Sequence, residues 1–368
     1  MRRFLVQVHL WLGLTLGVLG IFIGITGSVL LYDHEIDGWL NPQRYAVSGS
    51  EVSLDHAGYA RSAGQALAGR ARVVNLRMPE EKGMPVVATA RVRDANEFYR
   101  VYMDPPTGRV LEAVAGGGFI GWVHRFHENL TLREYWGREL VGLVGFAMLF
   151  SALSGIYLWW PARGRFREGL GVRSGFAPSR NLHYLFGFYG SLVLALLSFT
   201  GIWLAYPDAG RNVVSAFSPL SPLARNIQAP EPAAAQEPIP VGDAVIAARA
   251  LYPGAEVTGI GFPSGPRGTY RINLRRAGEP ISLFLDPATG AALNRIDSST
   301  RSTGDGFLAA QRRIHTGEAF GGLGRALFFV AGFLPALLAP TGAIMWWRQR
   351  RLRASAMSGA AAAASSEA

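Results

Sequence analysis

Residues 9–32, HLWLGLTLGVLGIFIGITGSVLLY, contain no Asp, Glu, Lys or Arg. The run exceeds the ~20 residues an α-helix needs to cross a bilayer. A single apolar run of this kind has to satisfy its backbone internally, so a helix is its form in lipid. The stretch also returns, because residues 183–206 read HYLFGFYGSLVLALLSFTGIWLAY. In each copy a histidine opens the run (His9, His183). A glycine follows four residues later (Gly13, Gly187), and a Thr-Gly pair stands seventeen residues on (Thr26-Gly27, Thr200-Gly201).

Two further runs of this kind bring the expected spans to four, at about 10–32, 139–160, 184–206 and 325–347. With 49% hydrophobic and 17% charged residues the chain is too apolar for an ordinary soluble protein. The first run is longer than a signal-peptide core and is expected to stay in the mature chain. The second half of each copy matches as well. His127, Gly137-Arg138, Ser154-Gly155 and Trp159-Trp160 have counterparts in His315, Gly324-Arg325, Thr341-Gly342 and Trp346-Trp347. The sequence thus reads as a parallel duplication over 9–163 and 183–350, with repeats related by an axis along the membrane normal. A net charge of +10 could suggest nucleic acid, but its placement points to topology. Arg2 and Arg3 precede span one, five arginines (Arg163, Arg165, Arg167, Arg173, Arg180) lie between spans two and three, and Arg348, Arg350, Arg351 and Arg353 follow span four. The positive-inside rule makes these segments cytoplasmic, with both termini inside and both long loops outside.

The domain order expected is span 1 (1–33), an outer module (34–123), an outer histidine segment with span 2 (124–163), an Arg-rich loop (164–182) and span 3 (183–206). A Pro-rich linker (207–240), a second outer module (241–311), a histidine segment with span 4 (312–350) and a disordered tail (351–368) complete it. Each module reads as one helix (53–68; 241–252) on three short antiparallel strands, closing on Asp-Pro-x-Thr-Gly (104–108; 286–290). The fold class is therefore membrane α-helical, four spans from an internal duplication, with two small α+β modules.

Four of the seven histidines obey the duplication: His9 with His183, and His127 with His315. A two-fold axis brings such pairs face to face, one pair at the inner end of the bundle and one at the outer. Opposed imidazoles suit a six-coordinate haem iron. At ~1.5 Å per residue, Thr26 lies ~26 Å above His9, so the Ser/Thr-Gly pairs fall near the histidine levels and could leave room for a porphyrin. Arg138 and Arg325 are placed to meet propionates at the outer level. His124, three residues before His127, competes with it as ligand. Zinc is the lesser option, since no third or fourth protein ligand is evident. The absence of cysteine excludes disulfides, thiolate sites and covalent haem attachment.

The segments HLWLG, ITG, DPPTG, DPATG, FHENLTL, SGIYLWWP, LHYLFG, SFTG, IHTG and PTGAIMWW resemble the PepSY-associated transmembrane family, which includes inner-membrane iron-uptake proteins and ferric-siderophore reductases. The resemblance implies PepSY-like periplasmic modules in a bacterial inner membrane. It also implies two b-type haems on His9, His183, His127 and His315, and electron transfer to a ferric siderophore outside. An external donor, a cytoplasmic reductase or a quinol, is then needed, since no nucleotide-binding motif is present. Two other functions stay open: a non-redox protein whose modules bind a peptide or restrain a protease, and a transporter. Membrane lipid is the expected surroundings and nucleic acid is not an expected partner.

Overall fold

The computed structural model describes residues 1–92, 97–160, 170–173, 175–223, 226–231 and 237–366. Arg163, Arg165 and Arg167 of the expected cytoplasmic loop lie outside these, as does part of the Pro-rich linker. The chain forms two compact units. One comprises Met1–Tyr32, Val123–Asn212 and Phe307–Ala368, the other Asp33–Trp122 and Val213–Gly306.

The first unit holds four helical segments long and apolar enough to cross a membrane. They are α1 (Arg2–Leu31), α5 (Gly137–Trp159), α6 (Pro178–Ala205) and a fourth made of α10 (Gly321–Ala331) and α11 (Leu334–Ser366). α1 packs on α5 and α11, and α6 packs on the same two. The fourth segment was expected as one span at 325–347 and is instead broken at Gly332-Phe333. The amide of Phe333 turns to Val330, not Phe329. That leaves the Phe329 carbonyl to the hydroxyl of Ser28 on α1, which donates to it at 2.8 Å. A broken helix survives in an apolar bundle when a neighbour supplies the lost hydrogen bond. The two backbones meet here because both have glycine. A Cβ on Gly24 would lie 2.3 Å from the Gly332 carbonyl oxygen, and one on Gly332 would lie 2.1 Å from Ser28 Oγ. Small residues that admit this approach are what packs helices in lipid.

α11 also runs past Trp347 to Ser366. The disordered tail expected from 351 is helical instead as far as Ser366, and its composition explains why: eight of its 18 residues are alanine, the best helix former.

Two short helices connect the units, α4 (Gly118–Asn129) and α9 (Thr303–His315). α2 (Asp33–Leu40) and α7 (Pro207–Ser215) follow the ends of α1 and α6.

The second unit is one eight-stranded antiparallel sheet in the order β4-β3-β2-β1-β5-β6-β7-β8. Its first half is β1 (Ala71–Arg77), β2 (Val86–Val92), β3 (Phe98–Met103) and β4 (Val110–Ala115), preceded by α3 (His56–Ala66). Its second half is β5 (Glu256–Gly261), β6 (Tyr270–Arg276), β7 (Glu279–Leu285) and β8 (Ala292–Ile296), preceded by α8 (Val241–Leu251). The two halves join edge to edge, with Leu76 opposite Ile260 and Arg77 opposite Gly259. This corrects the expectation of two separate three-stranded modules. Joining β1 to β5 pairs two rows of backbone groups that would otherwise be open edges. α3 and α8 share one core on one sheet face, where Tyr59, Ala63, Ala244, Leu76, Ile260 and Ile272 are fully buried. The turns at Asp104 and Asp286 lead into the strands missed from sequence, β4 and β8. Gly108 and Gly290 adopt φ +69° and +73°, which only glycine takes without strain.

Candidate functional site

Within the helical unit the four paired histidines meet as two pairs. His9 on α1 faces His183 on α6 with ring centres 6.3 Å apart. His127 near the end of α4 faces His315 at the end of α9 at 6.2 Å. An imidazole–metal–imidazole sandwich with metal–nitrogen bonds of ~2.0 Å and ~1.1 Å from ring centre to nitrogen spans ~6.2 Å. Both pairs have this separation. His124 faces Glu128, its Nδ1 3.5 Å from the carboxylate.

Each ring is held by one Ser/Thr-Gly pair. His9 Nδ1 lies 3.0 Å from Ser154 Oγ and His183 Nδ1 3.2 Å from Thr341 Oγ1. His127 Nδ1 lies 3.3 Å from Thr26 Oγ1 and His315 Nδ1 2.9 Å from Thr200 Oγ1. The hydroxyl protons are already engaged. Thr26, Thr200 and Thr341 donate to the carbonyls of Phe22, Leu196 and Leu337 at 2.7–2.8 Å, and Ser154 to that of Ser151 at 3.3 Å. A hydroxyl has one proton, so its oxygen accepts from the histidine. Two carbonyls, which can only accept, fix the same proton independently: Ile23 O is 2.9 Å from His127 Nδ1 and Leu338 O 3.0 Å from His183 Nδ1. The tautomer with a proton on Nδ1 follows, and Nε2 keeps its lone pair.

The glycine of each pair makes room for the ring. A Cβ would lie 2.8 Å from His127 Cε1 at Gly27, 3.2 Å from His315 at Gly201, 3.2 Å from His183 at Gly342 and 3.5 Å from His9 at Gly155. The expectation that these pairs clear space for a porphyrin is thus revised: they seat the imidazoles. The serine and threonine roles were missed because i, i+4 carbonyl bonding is the ordinary habit of such residues in helices, and nothing in sequence marks the ones that also accept.

A cavity of about 320 Å³ borders the inner pair, lined by His9, His183, Gly13, Gly187, Gly155 and Met148 among others. Nothing lies within 4 Å of a Cβ placed on Gly13. Arg2 reaches the same cavity and donates to Leu158 O at 3.3 Å. The two arginines expected at the outer level cap helix ends. Arg138 donates to Leu204 O at 2.7 Å, and Arg325 donates to Leu31 O while stacking 4.8 Å over the Tyr32 ring.

Outside the spans, burial lowers both outer histidines. His315 falls to about 4, with His127 beside it further opposing a charge, and His127 is lowered too. Neutral imidazole is the form that ligates metal. Among the described residues no group of three His, Cys, Asp or Glu could hold a metal ion by themselves.

Residues 6–349 match the model of a family described as the PepSY-associated TM region. No curated protein matches the chain.

Proposed function

As the chain belongs to the PepSY-associated TM region family, we propose that it is a bacterial inner-membrane protein with both termini cytoplasmic, its sheet unit periplasmic, built from a duplicated half. On this reading it carries electrons across the bilayer through two b-type haems to a chelated Fe(III) outside. The observation that carries the proposal is the pair of histidines at each of two levels, with ring centres 6.2–6.3 Å apart and each Nδ1 against a serine or threonine oxygen.

The residues fit a haem better than a bare metal. Two histidines per level leave a tetrahedral zinc two ligands short, whereas a porphyrin brings four nitrogens and asks the protein for two. A haem iron at each level supplies reversible one-electron chemistry. The chain's own residues do the rest. Ser154, Thr341, Thr26 and Thr200 fix each imidazole's tautomer and angle, which raises its basicity as a ligand. Gly13 leaves its side of the cavity beside the inner histidines bare for a flat ring, while the Leu338 side chain packs at Gly187. The two histidines of each level would hold the haem, and the chemistry it would supply there is electron transfer. Arg138 and Arg325 each donate to a helix end, Leu204 O and Leu31 O. On this reading the inner pair would stand on the side of the donor, a reductase or quinol, and the outer pair on the side of the acceptor.

Purified protein is expected to contain two haems with low-spin spectra. After dithionite reduction it should reoxidise when a ferric chelate is added, releasing Fe(II) to a ferrous trap. Colourless protein, or haems that stay reduced, would sink the proposal.

A further inference from the structure

The sheet unit has one face covered by α3 and α8, and on its other face the short turn Pro42–Tyr45 lies against β3 and β4. Side chains alternate across a strand, so residues flanking core positions point to that second face. Arg72 follows Ala71, Arg77 follows Leu76 and Arg91 follows Ala90; Arg100 precedes Val101, Arg271 precedes Ile272 and Arg275 follows Leu274, all core residues. Six arginines therefore share this face, and Arg72, Arg77, Arg91 and Arg271 are exposed. None of the six pairs with a carboxylate within 4 Å among the described residues. The strands place two carboxylates on this face. Glu112 is taken by Arg44 at 2.9 Å, and Glu256 lies opposite Arg275 in register.

Two details go beyond a generally basic surface. Arg72 and Arg91 stand directly opposite each other on paired strands. Like charges so placed destabilise a sheet, and this one has no internal counter-ion. Between β1 and β6 the face is bare, because the intervening residues of β5 are Gly259 and Gly261. A Cβ on Gly261 would press within 3.3 Å of Arg271 Cβ. The result is a furrow with Arg72 and Arg77 on one wall and Arg271 on the other. Thr89, Asn273 and Ser282 add neutral hydrogen-bonding groups to the same face, and the Arg271 guanidinium stands 5.8 Å over the Phe284 ring.

We propose that this arginine-lined face docks anionic Fe(III) chelates, taking their carboxylate or catecholate oxygens in the guanidinium forks. The inference rests on the electron-transfer reading for the identity of the ligand, and on the sheet alone for its charge. Guanidinium forks match planar oxygen pairs, and an unpaired cationic face raises the encounter rate of an anion. The guanidinium N–H groups would donate to lone pairs on these oxygens, those that ligate the iron included, so no bond to the metal is made or broken on docking.

The test uses the full-length protein in nanodiscs of neutral phosphatidylcholine, titrated calorimetrically with redox-inert gallium(III) complexes. An anionic gallium tricatecholate should bind, and more weakly as salt is added. The Arg72→Gln/Arg91→Gln double variant and the Arg271→Gln variant should each lose about tenfold or more in affinity, with Arg271→Lys retaining most of it. A cationic gallium trihydroxamate should not distinguish wild type from variants. Equal binding of the anion by wild type and both Gln variants, or no binding at all, overturns the proposal. So does selective loss of binding to phosphatidylglycerol vesicles in the variants without any chelate binding by wild type, which would make the face a lipid contact. Because gallium is not reduced, binding without haem reoxidation by the iron complex would refute the reductase reading alone. Reoxidation that ignores the arginines would refute this inference alone.

Discussion

Adding one methyl group at Gly27 should empty or distort the outer level while the same change at Gly155 leaves the inner level intact. In Gly27→Ala the new Cβ would sit 2.8 Å from His127 Cε1 and 3.4 Å from Nδ1, and the atoms nearest to it all belong to that ring. Carbon atoms pack at ~3.5–4.0 Å, so the imidazole must retreat by ~0.7 Å. Its Nδ1 is tied to Ile23 O at 2.9 Å, and a retreat of that size stretches the bond past the usual range. Overpacking of this kind costs ~1–3 kcal/mol, against a gain of ~1 kcal/mol for alanine over glycine in a helix. The helix therefore survives and the ligand moves. In Gly155→Ala the distance to His9 Cε1 is 3.5 Å, an ordinary contact, so only the helical gain remains. Gly201→Ala and Gly342→Ala, each at 3.2 Å, should fall between. Haem content by extraction, with a redox titration to resolve the two levels, reads the outcome. Gly27→Ala with a wild-type outer haem, or Gly155→Ala with a lost inner haem, would refute the assignment of these pairs as imidazole seats.

Three further outcomes are expected. His127→Ala should lose the outer haem and His124→Ala should keep it, since His127 is the ring 6.2 Å from His315 and His124 is engaged with Glu128 at 3.5 Å; the reverse result by haem stoichiometry would move the ligand. Ile260→Ala should destabilise the sheet unit by ~2–5 kcal/mol. Its place in the β1–β5 join means that amide exchange should speed up in β2 as well as in β6, and protection lost in one half only would contradict a single shared core. Reporter fusions at Arg173 and at Gly265, an exposed turn between β5 and β6, should report opposite sides of the membrane, and the same side for both would overturn the proposed topology.

The spans and the histidine pairs were legible because their physics is local. An uncharged run announces a helix in lipid, and a residue kept at one spacing in two copies announces a shared position. The break at Gly332 was not legible, since its cause is Ser28 on another helix, nearly the whole chain away. Neither was the eight-stranded sheet. β4 (VLEAVA) carries a glutamate and two alanines and has a weak strand signal, while the β1–β5 ladder joins segments about 185 residues apart, a pairing no short-range pattern encodes.

The seating of the rings explains why each small-residue pair has its order, hydroxyl first and glycine second. The hydroxyl must reach Nδ1 from the side, while the neighbouring position, about 100° round the helix, must have no side chain where Cε1 lies. Reversing the order would put a Cβ and an oxygen against the ring carbon and take the hydroxyl away from Nδ1. Each seat also takes a histidine from its own half of the chain: His9 sits against Ser154 and His127 against Thr26, then His183 against Thr341 and His315 against Thr200. Each ring's orientation is thus set by residues of its own half. The opposed pairs, 6.2–6.3 Å apart, are made only when the halves come together. A ligand bridging both rings would therefore bind the assembled bundle and not either half. By mass action it would hold the two halves together.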